Sequence, residues 1–384
     1  MPAKLQGCER IKSFSRTGTS VFKVRFLENG EAEAWNTFVA KNTESAFYSL
    51  YNQFEWGEVL NDAYDYERYY LVAERNGEFV GCFPLIHVPS RVFGDKLICL
   101  PFTDHGCGPS VALGDTETLD VLLDEARKLA MRLGVDYIKV CSPPVWMLPN
   151  FFEFGYEQVY DYCTLILELD SSVDDIWVSM DKSVRNAIRK AEKSGVRVMM
   201  DDSRNFVEDT YRIHLDNMKK LGTPPHSKSF FDAMWRRLQS KGLLRNYTAK
   251  YDGKTISAIT VFPHRESVRW GTGVALTDYR RFNPISLLLW EAVKWAKQQG
   301  YRTFDFGGSR PNSGNFVFKR GWLGKNYKNG QVVNLNHLCV FLNRVKIADP
   351  REERYATLSS IWKRYVPEFI ACRLGPSLRK QLGT

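Results

Sequence analysis

One pattern of elements recurs along this chain, in spacing rather than in letters, and it limits the possible folds more than any other feature. The first copy starts at Tyr69 and the second at Tyr247. In the first, YYLVAERNGEFVGCFPLIHV (Tyr69 to Val88) reads as strand, Asn76-Gly77 turn, strand, because β-branched and aromatic runs flank a dipeptide that tolerates positive φ. In the second, YTAKYDGKTISAITVFPH (Tyr247 to His264) repeats this around Asp252-Gly253. Each hairpin is followed by a further strand, then a helix with apolar residues at three- and four-residue spacing, then a closing strand. The helices are predicted over Thr116 to Gly134 and Pro284 to Gly300, each stopped by its glycine. The closing strands are DYIKV (Asp136 to Val140) and RTFDF (Arg302 to Phe306). The lead-ins YSLYNQFEW (Tyr48 to Trp56) and SKSFFDAMW (Ser227 to Trp235) both place aromatics on one side of an expected helix. Duplication of one α+β module is the economical reading.

The 384 residues suffice for two domains, and 44% hydrophobic with 25% charged residues is ordinary globular usage. An excess of 53 Lys and Arg over 44 Asp and Glu suits an anionic partner without requiring one. The opening MPAKLQGCERIKSF has no apolar run after its basic residues, and no later stretch reaches the roughly 18 apolar residues of a membrane span. A cytoplasmic protein is expected. Cys8, Cys82, Cys99, Cys107, Cys141, Cys163, Cys339 and Cys372 are scattered without zinc-like spacing, so reduced thiols and no metal are expected. Aromatics at 14% suit either a binding groove or a large core.

The order of elements resembles the acyltransferase core of the GNAT superfamily. That resemblance implies an α/β (α+β) fold of two tandem GNAT-like domains, each a mixed, mostly antiparallel sheet flanked by helices. The expected division is residues 1–165 with 325–384, and residues 166–324. Ordinary members seat coenzyme A pyrophosphate on a glycine-rich R/Q-x-x-G-x-G/A loop at a helix N-terminus. Here the second half has Arg280-Arg281-Phe282-Asn283-Pro284, and the first has GPSVALGDTET. In the second, Asn and Pro replace the glycines and Pro284 removes an amide donor, and the first has no Arg or Gln at the required offset. No cofactor is assigned.

Four segments between Phe47 and Trp322 resemble the FemABX aminoacyl transferases. KSVRNAIRKAEKSGVRV (Lys182 to Val198) has an apolar face beside a basic stripe of Lys182, Arg185, Arg189 and Lys193, suited to phosphates or simply to solvent. LDNMKKLGTPPHSKSFF (Leu215 to Phe231) is broken after Gly222 and resembles a FemAB-like subgroup associated with exopolysaccharide and exosortase neighbourhoods; Thr223 is its candidate contact. FDFGGSRPNSGNFVFKRGW (Phe304 to Trp322) holds Asp305, Gly307 and Gly308, and its Phe318-Lys319-Arg320-Gly321-Trp322 resembles the family's F-K-x-G-F/W stretch. The resemblance implies that Phe318 and Lys319 engage an aminoacyl-tRNA ester. Lys319 is the first catalytic candidate, as oxyanion stabiliser, and Asp305 the second, orienting or deprotonating the amine. LPFTDHGCGPSV (Leu100 to Val111) resembles the family's Pro-Phe then Gly-Gly-Pro turn, which implies Asp104 and His105 at the mouth of the first half, as a hydrogen-bonded surface pair rather than a catalytic dyad, with Phe102 and His105 as substrate-binding candidates.

Two departures leave the acceptor open. Bridge-forming members carry a lysine soon after the early Trp, whereas Trp56 precedes Gly57, Glu58, Val59 and Leu60. Near RWGTG the family carries tyrosines, and Arg269 and Trp270 stand here. The expected donor is aminoacyl-tRNA, or alternatively an acyl thioester. The expected acceptor is an amine on a cell-envelope precursor, or an amino sugar or exopolysaccharide. The segment after Trp322 is expected to return to the first half. The basic, aromatic tail Leu358 to Leu382 suits either packing on the body or peripheral contact with the inner membrane face.

Overall fold

The structure is a computed structural model that describes residues 13–17, 20–43, 46–103, 106–345 and 353–383. Fourteen strands form one continuous sheet: β1 (Ser13–Thr17), β2 (Ser20–Phe26), β3 (Arg68–Arg75), β4 (Glu78–Val88), β5 (Lys96–Ile98), β6 (Ser110–Val111), β7 (Tyr137–Cys141), β8 (Glu157–Glu168), β9 (Arg197–Met200), β10 (Arg245–Tyr251), β11 (Lys254–His264), β12 (Ser267–Ala275), β13 (Thr303–Ser309) and β14 (Gly330–Phe341). Their order is β1-β2-β3-β4-β5-β7-β14-β8-β13-β12-β11-β10-β9, with β6 on β4.

Both hairpins form where their turn dipeptides stand. Asn76 and Gly77 have φ of 53° and 88°, Asp252 and Gly253 of 48° and 74°, the positive values a two-residue hairpin needs. The long helices are Thr116–Leu133 and Pro284–Gln298. The first is capped by the Asp115 side chain and ends on Gly134 at φ 68°. In each half the second hairpin strand pairs antiparallel with a third strand, β4 with β5 and β11 with β12, and that strand pairs in parallel with the closing strand: β5 with β7, and β12 with β13.

The halves are joined by exchanged strands. β8 follows the first module in sequence yet pairs with β13 of the second, while β14 follows the second and pairs with β7 of the first. β8 and β14 pair with each other from Gly330↔Leu167 to Cys339↔Glu157, which makes the sheet continuous. After Trp322 the chain thus runs between β8 and β7.

Two large cores lie along the sheet, one around Leu71, Phe83, Leu122 and Ile138 and the other around Leu165, Ile188, Leu288 and Phe304. The helix Lys228–Leu238 belongs to the first of these: Phe230, Phe231, Met234 and Leu238 pack there, against the helix Phe54–Tyr64. Each such side chain, nearly fully buried, contributes about 1.5–3 kcal/mol. The two lead-in segments therefore face each other. The first lead-in helix starts later than expected, at Phe54, because the Phe54 amide is capped by Asn36 Oδ1 at 2.8 Å, a contact made in three dimensions.

Candidate active site

β12 and β13 stay paired for three positions, Ser267↔Thr303 to Arg269↔Asp305, and then part. Each diverging strand carries an irregularity beside the gap. On β12 the register against β11 shifts so that Gly271 is passed over. On β13 it shifts between Asp305 and Gly308 against β8, where Gly307 takes φ 74°. A side chain at Gly271 would press on the Phe262 ring, with a Cβ only 2.2 Å away. These positions need glycine for the backbone to open, and the result is a mouth in the second half.

Lys319 closes the base of this mouth. It lies on the helix Gly314–Arg320, which begins at Ser313, whose hydroxyl accepts from the Phe316 amide. Only 7% of Lys319 is exposed. Its ammonium donates to the carbonyls of Gly307 at 2.9 Å and Gly308 at 3.0 Å, and lies 5.5 Å from the centre of the Trp270 ring. The bulge turns both carbonyls toward the lysine, and the ring face adds an attractive cation–π contact. Phe318 lies 6.3 Å from Trp270 and 6.4 Å from Trp322. Trp270 and Phe318 are half-buried and form an aromatic lip, whereas Trp322 is fully buried against Phe306 and supports them from below.

Asp305 is 4% exposed. Its Oδ1 accepts from the Thr164 hydroxyl at 2.5 Å and from the Gly307 amide at 2.8 Å. Arg269 Nε lies 3.8 Å from Oδ2, and the Arg269 guanidinium stacks 4.6 Å from the Tyr51 ring centre. The carboxylate thereby fixes the bulge on which Lys319 sits, with its charge offset by a buried arginine. Sequence reasoning noted Arg269 only as a departure and passed over Thr164 and Tyr51. Strand alternation offered a signal for Arg269, a charged residue between inward Val268 and the lip residue Trp270.

The other candidates fall in two places. Arg185 and Arg189 lie on the helix Lys182–Lys193, whose Val184, Ile188 and Ala191 are buried as the apolar face requires. Its first turn abuts the end of the lysine-bearing helix: the Asp181 amide donates to the Gly321 carbonyl at 2.8 Å, and Val184 packs on Gly321. Arg189 lies over Trp177 at 5.2 Å, and Arg185 Nε is buried without a hydrogen-bond partner. Phe102 and Thr223 belong to a separate cluster at the joint of the halves. Phe102 packs at a tilt on Tyr64 and edge-on against His226 and Phe230, and the Thr223 amide donates to the Met218 carbonyl at the end of its helix. Asp104 and His105 lie outside the described residues. An open cavity of about 200 Å³ lies in the first half, beside Lys41, Tyr48, Asn52, Gly108 and Trp146, and does not include Lys319.

Three histidines, His214 buried and His226 and His264 half-buried, tie the halves together or lie beside the tie. Tyr64 and His226 Nδ1 are hydrogen-bonded at 2.6 Å, His214 Nε2 accepts from the His226 amide at 3.0 Å, and Ser49 and His264 Nε2 are 2.7 Å apart. Burial lowers His214 to about 3 and His264 to about 4, and holds His226 well below the usual value; nearby Arg379 adds to the shift at His214 and His226. No described helix is long and apolar enough to cross a membrane.

A doubled sheet–helix module with a buried lysine beside the parting strands of its second half has counterparts among known proteins. Residues 179–320 match the acetyltransferase (GNAT) domain family, so the second half is a GNAT domain and the chain a transferase on a tandem GNAT fold. Among solved structures it is similar to FemX, at 16% identity and a TM-score of 0.64, covering 84% of this chain and 98% of that one. It is also similar to a tandem GNAT protein from the clavulanic acid biosynthesis pathway, at 11% identity and 0.58, covering 85% and 100%. L-PGS from Bacillus licheniformis gives 12% and 0.53, covering 88% and 98%. At these identities the likeness is one of fold. No curated protein matches the sequence.

Proposed function

We propose that the protein transfers an aminoacyl group from aminoacyl-tRNA to an amine of a cell-envelope precursor, including one carried on lipid at the cytoplasmic membrane face. The observation behind this reading is the ammonium of Lys319, fixed at the mouth between diverging strands and framed by Trp270 and Phe318. In the reaction the acceptor amine attacks the ester carbonyl carbon, the C–N bond forms, the C–O bond to the ribose breaks, and the amine proton passes to the leaving ribose oxygen. A preorganised cation stabilises the oxyanion of the intervening adduct without rearranging at that moment. Asp305 acts here as a positioning residue, since Oδ1 already accepts two hydrogen bonds and Oδ2 faces Arg269. The basic helix at Gly321 supplies Lys182 and Arg185 toward the tRNA phosphates.

The helix start where GNAT enzymes seat a pyrophosphate favours a donor other than coenzyme A. Asn283 precedes the helix at φ 54°, Pro284 occupies its first position without an N–H, and Arg280 is bonded to Asn217 Oδ1 at 3.2 Å. A second reading, an acyl thioester donor with an amino-sugar acceptor, is favoured by the acetyltransferase description of the matched family. Purified protein offered labelled aminoacyl-tRNA or acetyl-coenzyme A, with muropeptide precursors and amino saccharides as acceptors, separates the two. Transfer from tRNA is expected. Transfer from the thioester alone would replace the first reading by the second, and no transfer with no tRNA retention at low salt would overturn the first.

A further inference from the structure

The last two helices, Glu353–Tyr365 and Glu368–Leu382, have inner faces that are firmly seated. Lys219 donates to the carbonyls of Trp362, at 2.8 Å, and Val366. Ser359 Oγ donates to the Leu221 carbonyl at 3.3 Å. Gly222 and Gly375 exist for close approach. A Cβ on Gly222 would stand 2.3 Å from Ser359 Oγ, and one on Gly375 would stand 2.3 Å from Pro225. The Gly222-Thr223-Pro224-Pro225 break thus serves as the seat of the tail.

The outer face is different. Leu358, Ile361 and Tyr365 recur at helical spacing on one side of the first helix and are 56%, 46% and 67% exposed; Phe369, at the start of the second, is 67% exposed. Leu374 and neighbouring Leu221 are also exposed. Lys363, Arg364 and Arg373 are exposed among them, and from residue 357 to 383 the chain has one acid, Glu368, against five Lys and Arg. Apolar anchors ringed by cations match the chemistry of an anionic bilayer surface, where rings and aliphatic chains enter the interface and cations meet lipid phosphates. A protein partner would be expected to present acids and an apolar groove, while RNA would make no use of the aliphatic row.

We propose that this face docks the protein on an anionic lipid surface, leaving the inner face to hold the tail on the body. It goes beyond the transfer reaction and is measured without donor or acceptor, so either can fail alone. Full-length protein is sedimented with vesicles of phosphatidylcholine, alone or mixed with phosphatidylglycerol. Binding to the mixed vesicles only, weakened by salt, is expected. Ile361→Glu combined with Phe369→Glu should weaken it at least about tenfold, and Arg364→Ala or Arg373→Ala about fivefold each. Met131→Glu, at a 68% exposed site on the helix Thr116–Leu133, should leave it unchanged. Since all the altered side chains point outward, circular dichroism and melting should match the parent. Equal affinity for both vesicle types, or a double variant that binds like the parent, would overturn the proposal. So would a solution dimer that the double variant dissociates, which would show a second copy covering the face.

Discussion

The two mouths of the sheet come from one module and end differently. In both, the parallel pair runs for three positions, Lys96↔Tyr137 to Ile98↔Lys139 in the first half and Ser267↔Thr303 to Arg269↔Asp305 in the second. Beyond that, backbone hydrogen bonds continue to bridge the two strands of the first half, beside the cavity at Cys107 and Gly108. The Cys99 amide donates to the Lys139 carbonyl at 2.8 Å, the Cys107 amide to that of Cys141 at 3.1 Å, and the Cys107 thiol to that of Cys99 at 2.9 Å. Leu100 and Phe102 accept positive φ to form the closing loop. In the second half, glycine bulges open the same gap and Lys319 enters it. At matching register, Arg269 and Asp305 replace Ile98 and Lys139. Doubling the module lets one copy bridge its parting strands with backbone while the other places charged side chains between them.

The sharpest way to break this contrast is Lys319→Ala, which should lower the transfer rate per folded molecule by two to three orders of magnitude in steady-state assays, while the two carbonyls it leaves unpaired cost about 1–3 kcal/mol of stability. Asp305→Asn leaves Arg269 buried opposite a neutral amide, and chemical denaturation should show a loss of about 3 kcal/mol, together with slower transfer because the bulge loosens. Gly222→Ala, at φ 72° and pressed on Ser359, should cost about 2 kcal/mol and increase proteolysis of the tail. Acid should act on the joint between the halves. His214 and His264 stay neutral when folded, at about 3 and about 4, but protonate near 6.5 when unfolded. Their contribution is full above about pH 6.5 and is lost as pH falls toward those values, at about 1.4 kcal/mol per pH unit for each histidine. Denaturation midpoints measured from pH 7 to 5 should fall, and His264→Asn should flatten the slope. Smallest of all, Cys107→Ala in the first half should cost about 1 kcal/mol and leave transfer per folded molecule unchanged.

Much of the architecture was legible because it is local. Asn76-Gly77 and Asp252-Gly253 name their own hairpins, and the glycines after Leu133 and Gln299 end their helices. The exchange of β8 and β14 was less so, since a strand's alternation states which face is buried and not which neighbour it pairs with. Lys319 stood out through its Phe-Lys setting. Its support did not: Thr164, Arg269 and Asp305 are far apart in the chain and meet only through strand register. Gly222 and Thr223 read as a possible contact loop, and the fold shows that Gly222 seats the C-terminal helices.

Affinity labelling tests most directly whether the chemistry belongs to the second mouth. Periodate-oxidised tRNA carries a 3′ dialdehyde that forms an imine with a neighbouring lysine, and borohydride reduction fixes the product for peptide mapping. The expected adduct is on Lys319. Modification of Lys139 or Lys41 in the first half with Lys319 untouched, or no adduct on any lysine, would contradict the assignment.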